Sequence, residues 1–350
     1  MNISERFIPS LSKEREDAKA LTVMKFGGAS LENADAIAHA VSIVRREHLS
    51  GRPLVLVLSA MKNVTDKLDR LCQSDNPSLL DELIAQHYSI LTSLQIANEN
   101  KLQVQKEIDS IFQGLKIDAG VARHYREENH PDMAEYTDRV LSCGERLIVR
   151  LFTAALSSNG ISALTVESSD IVQTDNKFGQ ANPDFLTSSE KTKRKISPLI
   201  QQNVIPVITG FIGSTIDGKI TTLGRNTSDY SASLIGRIIG ARQVIFWKDV
   251  DGLYDKDPKL NADARFTKKA TFNEVAAMET KVIHAKAFEP LYGTGIVVFI
   301  KNFKKPEEVG TEISEVIDKR VDASLAYQIA IMHNTGRVPR RLRVFKADSF

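Results

Sequence analysis

A lysine, two glycines and a hydroxyl directly after a short apolar run could hold a phosphate group. The segment is Lys25–Ser30 (KFGGAS), and it follows the apolar residues 21–24. Glycine has no Cβ atom, so N–H groups at Gly27 and Gly28 can approach phosphate oxygens closely. Lys25 adds a positive charge, and the helix predicted next in the chain directs its positive N-terminal end toward the same place. Alone, the pattern is also typical of an ordinary turn.

A second polar segment, Thr221–Asp229 (TTLGRNTSD), offers a guanidinium and a carboxylate near a predicted helix start. The planar fork of Arg225 suits a carboxylate ligand. Ser228 and Asp229 stand at the start of the helix, so capping is the alternative role for this pair. Arg225 is harder to explain structurally, because it lies beside a glycine in a turn between strand and helix.

Acidic residues supply further candidates. Residues 249–258 (DVDGLYDKDP) follow a predicted buried strand, and their carboxylates suggest a cation site. The calcium-loop pattern fails, because the spacing around Gly252 is wrong and no glutamate closes the loop. A turn rich in Asp and Gly is the alternative. Glu145, within a long helical stretch, could receive a substrate ammonium group or be a solvated or ion-paired helix acid.

Several familiar catalytic patterns are excluded. Residues 213–219 have the spacing of a Walker A loop, but Ile220 stands where Ser or Thr must hold the metal. Asp217 and Gly218 instead predict a hairpin turn. HExxH and GxSxG are absent, the histidines show no metal-ligand spacing, and we expect His284 to be structural.

Composition narrows the class of protein. The chain has 350 residues, 42% of them hydrophobic, and a net charge of +2, which allows a large core and more than one subdomain. Near-neutral charge gives no reason to expect nucleic acid or an acidic membrane as a partner. No apolar run could span a bilayer and the charged first twenty residues hold no signal-peptide core, so we expect a cytoplasmic protein. Cys72 and Cys143 form no CxxC pattern and are expected to be free thiols.

Strand-like and helix-like runs alternate along the chain, which predicts a mostly parallel sheet covered on both faces. Ligands of such sheets bind at the carboxyl ends of the strands. The expected strands are residues 21–26, 53–60, 161–166, 203–209, 243–248 and 295–300, the last being the final core strand. The expected helices are residues 33–47, 184–202 and 228–239, with helical periodicity from about 65 to 158 that breaks near 129–131.

In this order the segments resemble the aspartate kinases of the amino-acid-kinase family, and most closely the kinase half of bifunctional aspartate kinase–homoserine dehydrogenases. The matching stretches are KFGGAS (25–30), VLSAMKNVTDKL (57–68), SCGERL (142–147), TGFIGS (209–214), TTLGRNTSDYSASL (221–234), DVDGLYDKDP (249–258) and KVIH (281–284). The resemblance runs from Lys25 to about Ile313. It implies an α/β protein of carbamate-kinase-like fold, a three-layer α/β/α sandwich with a mostly parallel central sheet.

The resemblance also implies roles for the candidate residues. The transferring phosphoryl group would be held by Lys25, Gly27, Gly28, Ser30 and Ser228, with Lys25 and Asp229 as catalytic residues. Aspartate would be bound by Ser59, Thr65, Glu145, Phe211 and Arg225. The nucleotide would be bound by Lys248, Asp249, Tyr254, Asp257, Pro258 and Lys281. ATP and Mg²⁺ would be the cofactors, with Mg²⁺ held mainly by the ATP phosphates and no direct protein ligand. The implied partners are L-aspartate and ATP, without nucleic acid or membrane, and a homodimer is one assembly it allows.

The implied reaction phosphorylates the β-carboxylate of L-aspartate to 4-phospho-L-aspartate, the first step of aspartate-family amino-acid biosynthesis. That carboxylate has a free pKa of about 3.9, so it is nucleophilic at neutral pH without a general base. Cations and backbone N–H groups must neutralise its repulsion from the triphosphate. Two alternatives remain open: a relative that acts on another acidic amino acid or carboxylate, and a catalytically weak homologue that binds aspartate or a partner.

Some positions depart from the family pattern. The family usually has glycine at Thr227 and often at Asn226, threonine at Lys248 and proline at Ala285, and the segment before Lys281 is about three residues short. The predicted organisation is a charged extension (1–20) and a catalytic domain (21–315) with an amino-acid-binding lobe (about 21–205) and a nucleotide-binding lobe (about 206–315). Residues 316–350 include candidate strands at 325–332 and 341–345 but are too few for the usual paired ACT regulatory domains. We therefore expect no feedback inhibition by lysine or threonine through such domains.

Overall fold

The computed structural model describes residues 20–315, except Asn226, Lys259, Ala262 and Glu279. Residues 1–19 of the predicted extension and the predicted C-terminal segment 316–350, with its candidate strands, lie outside the described residues. The described residues form twelve strands: β1 (Thr22–Phe26), β2 (Leu54–Leu58), β3 (Ala163–Val166), β4 (Ile205–Thr209), β5 (Ile212–Ser214), β6 (Ile220–Thr222), β7 (Gln243–Lys248), β8 (Leu253–Tyr254), β9 (Phe266–Thr267), β10 (Lys269–Thr271), β11 (Val297–Asn302) and β12 (Thr311–Ser314).

Eight of these strands form the central sheet, in the order β10–β12–β11–β7–β1–β2–β4–β3. All neighbours are parallel except β11 and β12, which are antiparallel. The hairpins β5–β6 and β8–β9 are separate two-stranded units. The α-helices are α1 (Ala34–Leu49), α2 (Val64–Leu71), α3 (Pro77–Ser93), α4 (Asn98–Glu127), α5 (Met133–Ser158), α6 (Phe185–Gln201), α7 (Ser228–Ile239) and α8 (Phe272–Ala277).

Helices cover both faces of the sheet, because its central strands are apolar on both sides. Every residue of β1, β2 and β4 is buried. Met24 and Phe26 pack with residues of α1 to α5 on one face, whereas Val23 packs with residues of α6 and α7 on the other. Side chains of a strand alternate between its faces, so Lys25 lies on the α7 face together with Val23. This alternation places Lys25 close to the start of α7.

The helix starts follow local capping rules. Asn33 precedes α1 and its side chain accepts a hydrogen bond from the N–H of Ala36 at 2.9 Å. Asp184 precedes α6 and accepts from the N–H of Thr187 at 2.7 Å. Both residues satisfy N–H groups that lack partners within the helix. The predicted bounds of α7 and β7 match the structure, and the break predicted near residues 129–131 falls between α4 and α5.

The expectation that residues 295–300 form the last core strand is wrong. β12 follows β11, pairs with it in antiparallel register, and is flanked in turn by β10. β10, at the edge of the sheet, has three residues and β12 beside it has four, and in both strands buried residues alternate with more exposed ones. So short a run carries too little periodicity to predict a strand. The boundary predicted near residue 205 between two lobes stays a prediction.

The hairpin β5–β6 reaches the same end of the sheet as the carboxyl ends of β2 and β4. Its turn contains Asp217 and Gly218, as predicted, and Gly218 adopts a φ of +83°. Asp138 of α5 is fully buried and accepts hydrogen bonds from the N–H groups of Gly179 and Thr222, both at 2.8 Å, and from the Thr222 hydroxyl at 2.7 Å. Burial raises the pKa of Asp138 to about 6, although these donors oppose the rise. Asp138 thereby fixes the hairpin against α5.

The expectation of free cysteine thiols is met. Cys72 and Cys143 are buried free thiols, and burial raises the pKa of each to about 12. None of the helices in the described ranges combines the length and the apolar content needed to cross a membrane.

Candidate active site

A cavity of about 680 Å³ opens at the carboxyl ends of β1, β2, β4 and β7. Fourteen of the residues predicted for the site line it: Lys25, Gly27, Gly28, Ser30, Ser59, Thr65, Glu145, Phe211, Arg225, Ser228, Asp229, Lys248, Asp249 and Lys281. Tyr254, Asp257 and Pro258 do not line it. Tyr254 belongs to β8, whose pairing with β9 holds it in a separate hairpin. The nucleotide contacts assigned to these three residues stay predictions.

Two lysines share one buried carboxylate at the centre of the cavity. Lys25 Nζ lies 2.8 Å from Asp229 Oδ1, and Lys248 Nζ lies 2.7 Å from Asp229 Oδ2. Lys25 and Lys248 come from neighbouring parallel strands, and Asp229 lies in the first turn of α7. The alternative role of helix capping is wrong for Asp229 and Ser228. Thr227 occupies the cap position, and Asp229 binds the two lysines instead.

Burial and charge set the ionisation of this cluster. Burial alone would raise the pKa of Asp229, but Lys248 and Lys25 outweigh burial and hold it at about 2. Burial lowers the pKa of Lys25, the nearby Lys248 lowers it further, and Asp229 opposes both effects. Asp229 is therefore ionised at neutral pH, and its two oxygens hold both ammonium groups at the cavity.

The glycines of the first motif have two different roles. A Cβ atom on Gly28 would lie 3.0 Å from the backbone nitrogen of Lys62 and 3.1 Å from the carbonyl oxygen of Ala60. Gly28 is thus required for close packing of the loops that follow β1 and β2. A Cβ atom on Gly27 would meet nothing closer than Lys25 Nζ at 3.6 Å, and Gly27 lines the cavity. The phosphate role inferred from sequence suits Gly27 better than Gly28.

The helix N-terminus at the cavity belongs to α7 and not to α1. A 3₁₀ turn, Gly28–Leu31, separates β1 from α1, and no residue of α1 lines the cavity. Ser228 and Asp229 open α7 there, and Gly210 allows the approach, since its Cβ atom would lie 2.9 Å from Ser228 Cβ. The positive end of a helix dipole therefore adds to the two lysines.

Glu145 is a buried acid that lines the same cavity. Glu145 is 3% exposed, and its Oε2 atom is buried without a hydrogen-bond partner. Burial raises the pKa of Glu145 to about 8, although the Ala60 backbone and Lys25 oppose this rise. Among the residues that the structure describes, no cation forms an ion pair with it, so the alternative of a solvated or ion-paired helix acid is wrong. A buried carboxylate of this kind is suited to a cationic ligand.

Phe211 forms part of the wall in a strained conformation. Its φ of +68° lies in the left-handed region, which a bulky residue rarely adopts. The N–H of Phe211 donates a hydrogen bond to the Ser231 hydroxyl at 2.9 Å. The carbonyl oxygen of Phe211 accepts a hydrogen bond from the N–H of Leu223, also at 2.9 Å. The two bonds keep Phe211 in place and couple α7 to the hairpin β5–β6.

Arg225 lies at the mouth of the cavity and pairs with Asp66 of α2. Asp66 is not among the residues predicted for the site, because 159 positions separate it from Arg225 along the chain. Both side chains are more than 60% exposed, and an exposed pair of this kind is worth little free energy. An incoming carboxylate can therefore replace Asp66 on the guanidinium at small cost.

The acidic residues of the loop after β7 have different surroundings: one lines the cavity and another bonds to neighbouring residues of the fold. Asp249 lines the cavity, whereas Asp251 accepts from the Asn302 side chain at 2.6 Å and pairs with Lys305 at 3.0 Å. Within the described ranges, no group of three or more His, Cys, Asp or Glu residues could hold a metal ion. His284 lines the cavity but also accepts from the N–H of Lys286 at 3.1 Å, a capping role that fits its predicted structural function.

A parallel sheet that concentrates positive charge and a helix N-terminus at its carboxyl edge is typical of phosphate-binding α/β proteins. The model of the amino acid kinase family matches residues 20–302, and the chain belongs to this family.

Proteins named aspartokinase are among those similar to this chain. Lysine-sensitive aspartokinase 3 of Escherichia coli is 30% identical over 298 residues, which is 83% of this chain and 63% of that protein. The aspartokinase of Chlamydia muridarum is 28% identical, over 88% of this chain and 66% of that protein. The chain thus spans slightly less than two thirds of the length of these relatives.

A solved structure of E. coli aspartokinase III in complex with aspartate and ADP aligns with a TM-score of 0.76 and 28% identity. The alignment covers 85% of this chain and 65% of that one. The expected three-layer fold with a mostly parallel central sheet is confirmed by this match and by the topology described above.

Proposed function

We propose that this protein is an aspartate kinase, which transfers the γ-phosphoryl group of ATP to the β-carboxylate of L-aspartate. The observation that carries the proposal is one cavity with two opposed charge environments. Lys25 and Lys248 share Asp229 as their counter-ion, and Glu145 is buried with no ion-pair partner among the described residues. A triphosphate needs the first environment and an α-ammonium group needs the second. Relatives named aspartokinase, one of them solved with aspartate and ADP, support the same assignment.

In this proposal the amino acid occupies the β2 side of the cavity. Its ammonium group pairs with Glu145, which ionises when the cation arrives. Its α-carboxylate displaces Asp66 from Arg225. Ser59 directly follows β2 and Thr65 lies in the first turn of α2; their hydroxyl groups contribute hydrogen bonds, while Phe211 limits the length of the side chain. The β-carboxylate then faces Lys25.

The chemical step needs no proton transfer. A carboxylate oxygen attacks the γ-phosphorus, and the bond between that phosphorus and the β–γ bridging oxygen breaks with its electron pair on ADP. Lys25, the N–H of Gly27 and the start of α7 stabilise charge on the transferring group, with Ser30 and Ser228 beside them. Stabilisation by such preorganised donors commonly contributes more to the rate enhancement than any other single effect.

Further parts of the proposal concern the setting of the reaction. Mg²⁺ enters with the nucleotide and is held mainly by the ATP phosphates, where it neutralises charge on the triphosphate. We propose a cytoplasmic enzyme without nucleic-acid partners, with a homodimer as its assembly. The amino-acid-binding lobe comprises about residues 21–205 and the nucleotide-binding lobe about 206–315.

The test is a coupled ADP-release assay with aspartate, glutamate and no amino acid. We expect ADP release that depends on aspartate and is at least tenfold slower with glutamate, since the wall at Phe211 restricts the longer side chain. Equal rates with both acids would favour a relative with another acidic substrate. No amino-acid-dependent release, together with aspartate binding by calorimetry, would favour a silent homologue.

Replacement of Arg225 by Met should raise the KM for aspartate about 10- to 100-fold, because the substrate carboxylate loses a charge-assisted hydrogen bond. The kcat should fall much less, since the contact is made in the ground state as well as in the transition state. Steady-state kinetics with varied aspartate measure both constants. The Asp66→Asn variant is the matched control: it frees Arg225 and should lower KM by no more than about threefold. An unchanged KM in Arg225→Met would contradict the carboxylate role.

A further inference from the structure

One buried carboxylate joins helix α5 to the two segments that pack around the turn of Arg225. Asp138 Oδ2 accepts hydrogen bonds from the N–H of Thr222, at the end of β6, and from the N–H of Gly179, in the loop between β3 and α6, both at 2.8 Å. Asp138 Oδ1 accepts from the Thr222 hydroxyl at 2.7 Å. The N–H of Ala181 donates to the Thr222 carbonyl oxygen at 2.9 Å, so the two segments are also bonded to each other.

A carboxylate suits this position because it offers acceptors on both oxygens. An asparagine would present an NH₂ group to one of the three donors. Asp138 is fully buried, and no cation among the described residues lowers its pKa, which burial raises to about 6. A buried carboxylate without a cation costs free energy, but a network in which every donor is matched is rigid. Asp138 therefore holds both segments in one arrangement relative to α5.

The turn that bears Arg225 begins at this anchor, three residues after Thr222. A Cβ atom on Gly224 would lie 3.7 Å from the carbonyl oxygen of Gly179, so the bonded loop packs behind the turn. The side chain of Arg225 is 64% exposed, and its partner Asp66 is the one that the substrate carboxylate would replace. The backbone of the turn therefore decides where the guanidinium lies when substrate is bound.

The same helix carries Glu145, seven residues after Asp138. Seven residues are close to two turns, so the two acids lie near one face of α5, about 10.5 Å apart along its axis. Helix α5 is continuous from Met133 to Ser158. Gly144 allows it to approach the loop after β2, because a Cβ atom there would lie 2.7 Å from Ala60 Cβ. One helix thus holds Glu145 directly and the turn of Arg225 through Asp138.

We propose that Asp138 is a positioning residue for the amino-acid substrate, which sets the distance between the guanidinium of Arg225 and the carboxylate of Glu145. The inference rests on the proposed function, in which these two groups bind the α-carboxylate and the α-ammonium group of aspartate. Both substrate charges are attached to one carbon atom, so their separation is fixed by covalent bonds. The protein must hold its two charges at the matching separation, and a displaced turn loses one of the contacts.

The experiment is the Asp138→Asn variant in steady-state kinetics. The KM for aspartate should rise about five- to tenfold, the effect of losing about one hydrogen bond to a charged group. The kcat and the KM for Mg·ATP should change less than twofold, since the contact of Arg225 is made in the ground state and in the transition state alike. Thr222→Val removes only the hydroxyl donor and should raise the KM for aspartate about threefold. It supplies the test if Asp138→Asn does not fold.

A double-mutant cycle distinguishes positioning from a general loosening of the fold. Added to Arg225→Met, Asp138→Asn should raise the KM for aspartate by less than a further twofold, because the contact it positions is already lost. Asp118→Asn is the matched control. Asp118 is another buried acid, on α4, which pairs with Arg139 at 2.8 Å and does not line the cavity. Its replacement should lower the Tm and leave the KM for aspartate unchanged.

The outcomes separate the inference from the proposed function. The inference is overturned if both variants leave the KM for aspartate unchanged, if kcat and both KM values change together, or if the effects of Asp138→Asn and Arg225→Met multiply. If wild type releases no ADP with aspartate, the aspartate kinase proposal fails and calorimetry decides the inference. A Kd for aspartate that rises at least fivefold in Asp138→Asn supports it, whereas an unchanged Kd, or no binding by wild type, overturns it.

Discussion

Replacement of Lys25 by Met is expected to lower kcat by at least about 100- to 1,000-fold, the effect of losing one preorganised donor to a transition state. Lys25 is the cation of the central strand, and it lies between the side assigned to aspartate and the side assigned to the nucleotide. Its charge acts in a site where little water screens it. The KM for aspartate should change little, because the assigned amino-acid contacts lie on other residues. Steady-state ADP release measures both constants.

The same variant should remain folded. Burial lowers the pKa of Lys25, which means that the folded protein carries this charge at a cost. Methionine removes that cost, and Asp229 keeps Lys248 at 2.7 Å. Thermal unfolding should therefore give a Tm equal to that of wild type or higher.

Lys62→Met is the matched control for Lys25→Met. Lys62 lies in the neighbouring loop after β2, is exposed, and pairs only loosely with Glu32 at 3.3 Å. Its replacement should change neither kcat nor Tm appreciably. Full turnover by Lys25→Met, with Lys62→Met also unaffected, would refute the role of Lys25 in phosphoryl transfer.

Glu145→Gln should weaken aspartate binding and strengthen the fold, two effects in opposite directions. The KM for aspartate should rise about 10- to 100-fold, because glutamine cannot form an ion pair with the α-ammonium group. In wild type, the ammonium group needs the ionised form of Glu145, whose pKa is about 8 in the free protein. The KM of wild type should therefore fall as pH rises toward 8, and that dependence should disappear in the variant.

The stability effect follows from the same raised pKa. Glu145 has a pKa of about 8 in the folded protein and an ordinary value of 4.5. Between these values the folded state holds a proton that the unfolded state has released, so the free energy of unfolding decreases as pH rises. Glutamine lacks this proton equilibrium. Chemical denaturation should show that the free energy of unfolding of Glu145→Gln, relative to that of wild type, increases from pH 5 to pH 8. The difference should reach roughly 2–5 kcal/mol at pH 8.

Glu135→Gln on the same helix provides the contrast. Glu135 pairs with Lys219 at 2.8 Å, away from the cavity. Its replacement should lower stability slightly and leave the KM for aspartate unchanged. If Glu145→Gln and Glu135→Gln had the same effect on both measurements, Glu145 would be an ordinary structural acid and its ammonium-binding role would be wrong.

Much of the architecture was predictable because its causes are local. The apolar run 244–247 within Gln243–Lys248 (QVIFWK) specifies a buried strand, and helical periodicity after Ser228 specifies α7. The Asp217–Gly218 turn follows from the φ that glycine permits. The short strands β10 and β12 could not be predicted, since three or four residues carry almost no periodicity.

The sequence by itself determined which side chains could bind phosphate and carboxylate, since residue type and spacing after a strand are local properties. Only the tertiary structure decided their partners. It brought Asp66 to Arg225, gave one carboxylate to Lys25 and Lys248, and left Glu145 buried without a cation among the described residues. Charge pairing and desolvation depend on which distant segments the sheet brings within a few ångströms, and no pattern along the chain encodes that distance.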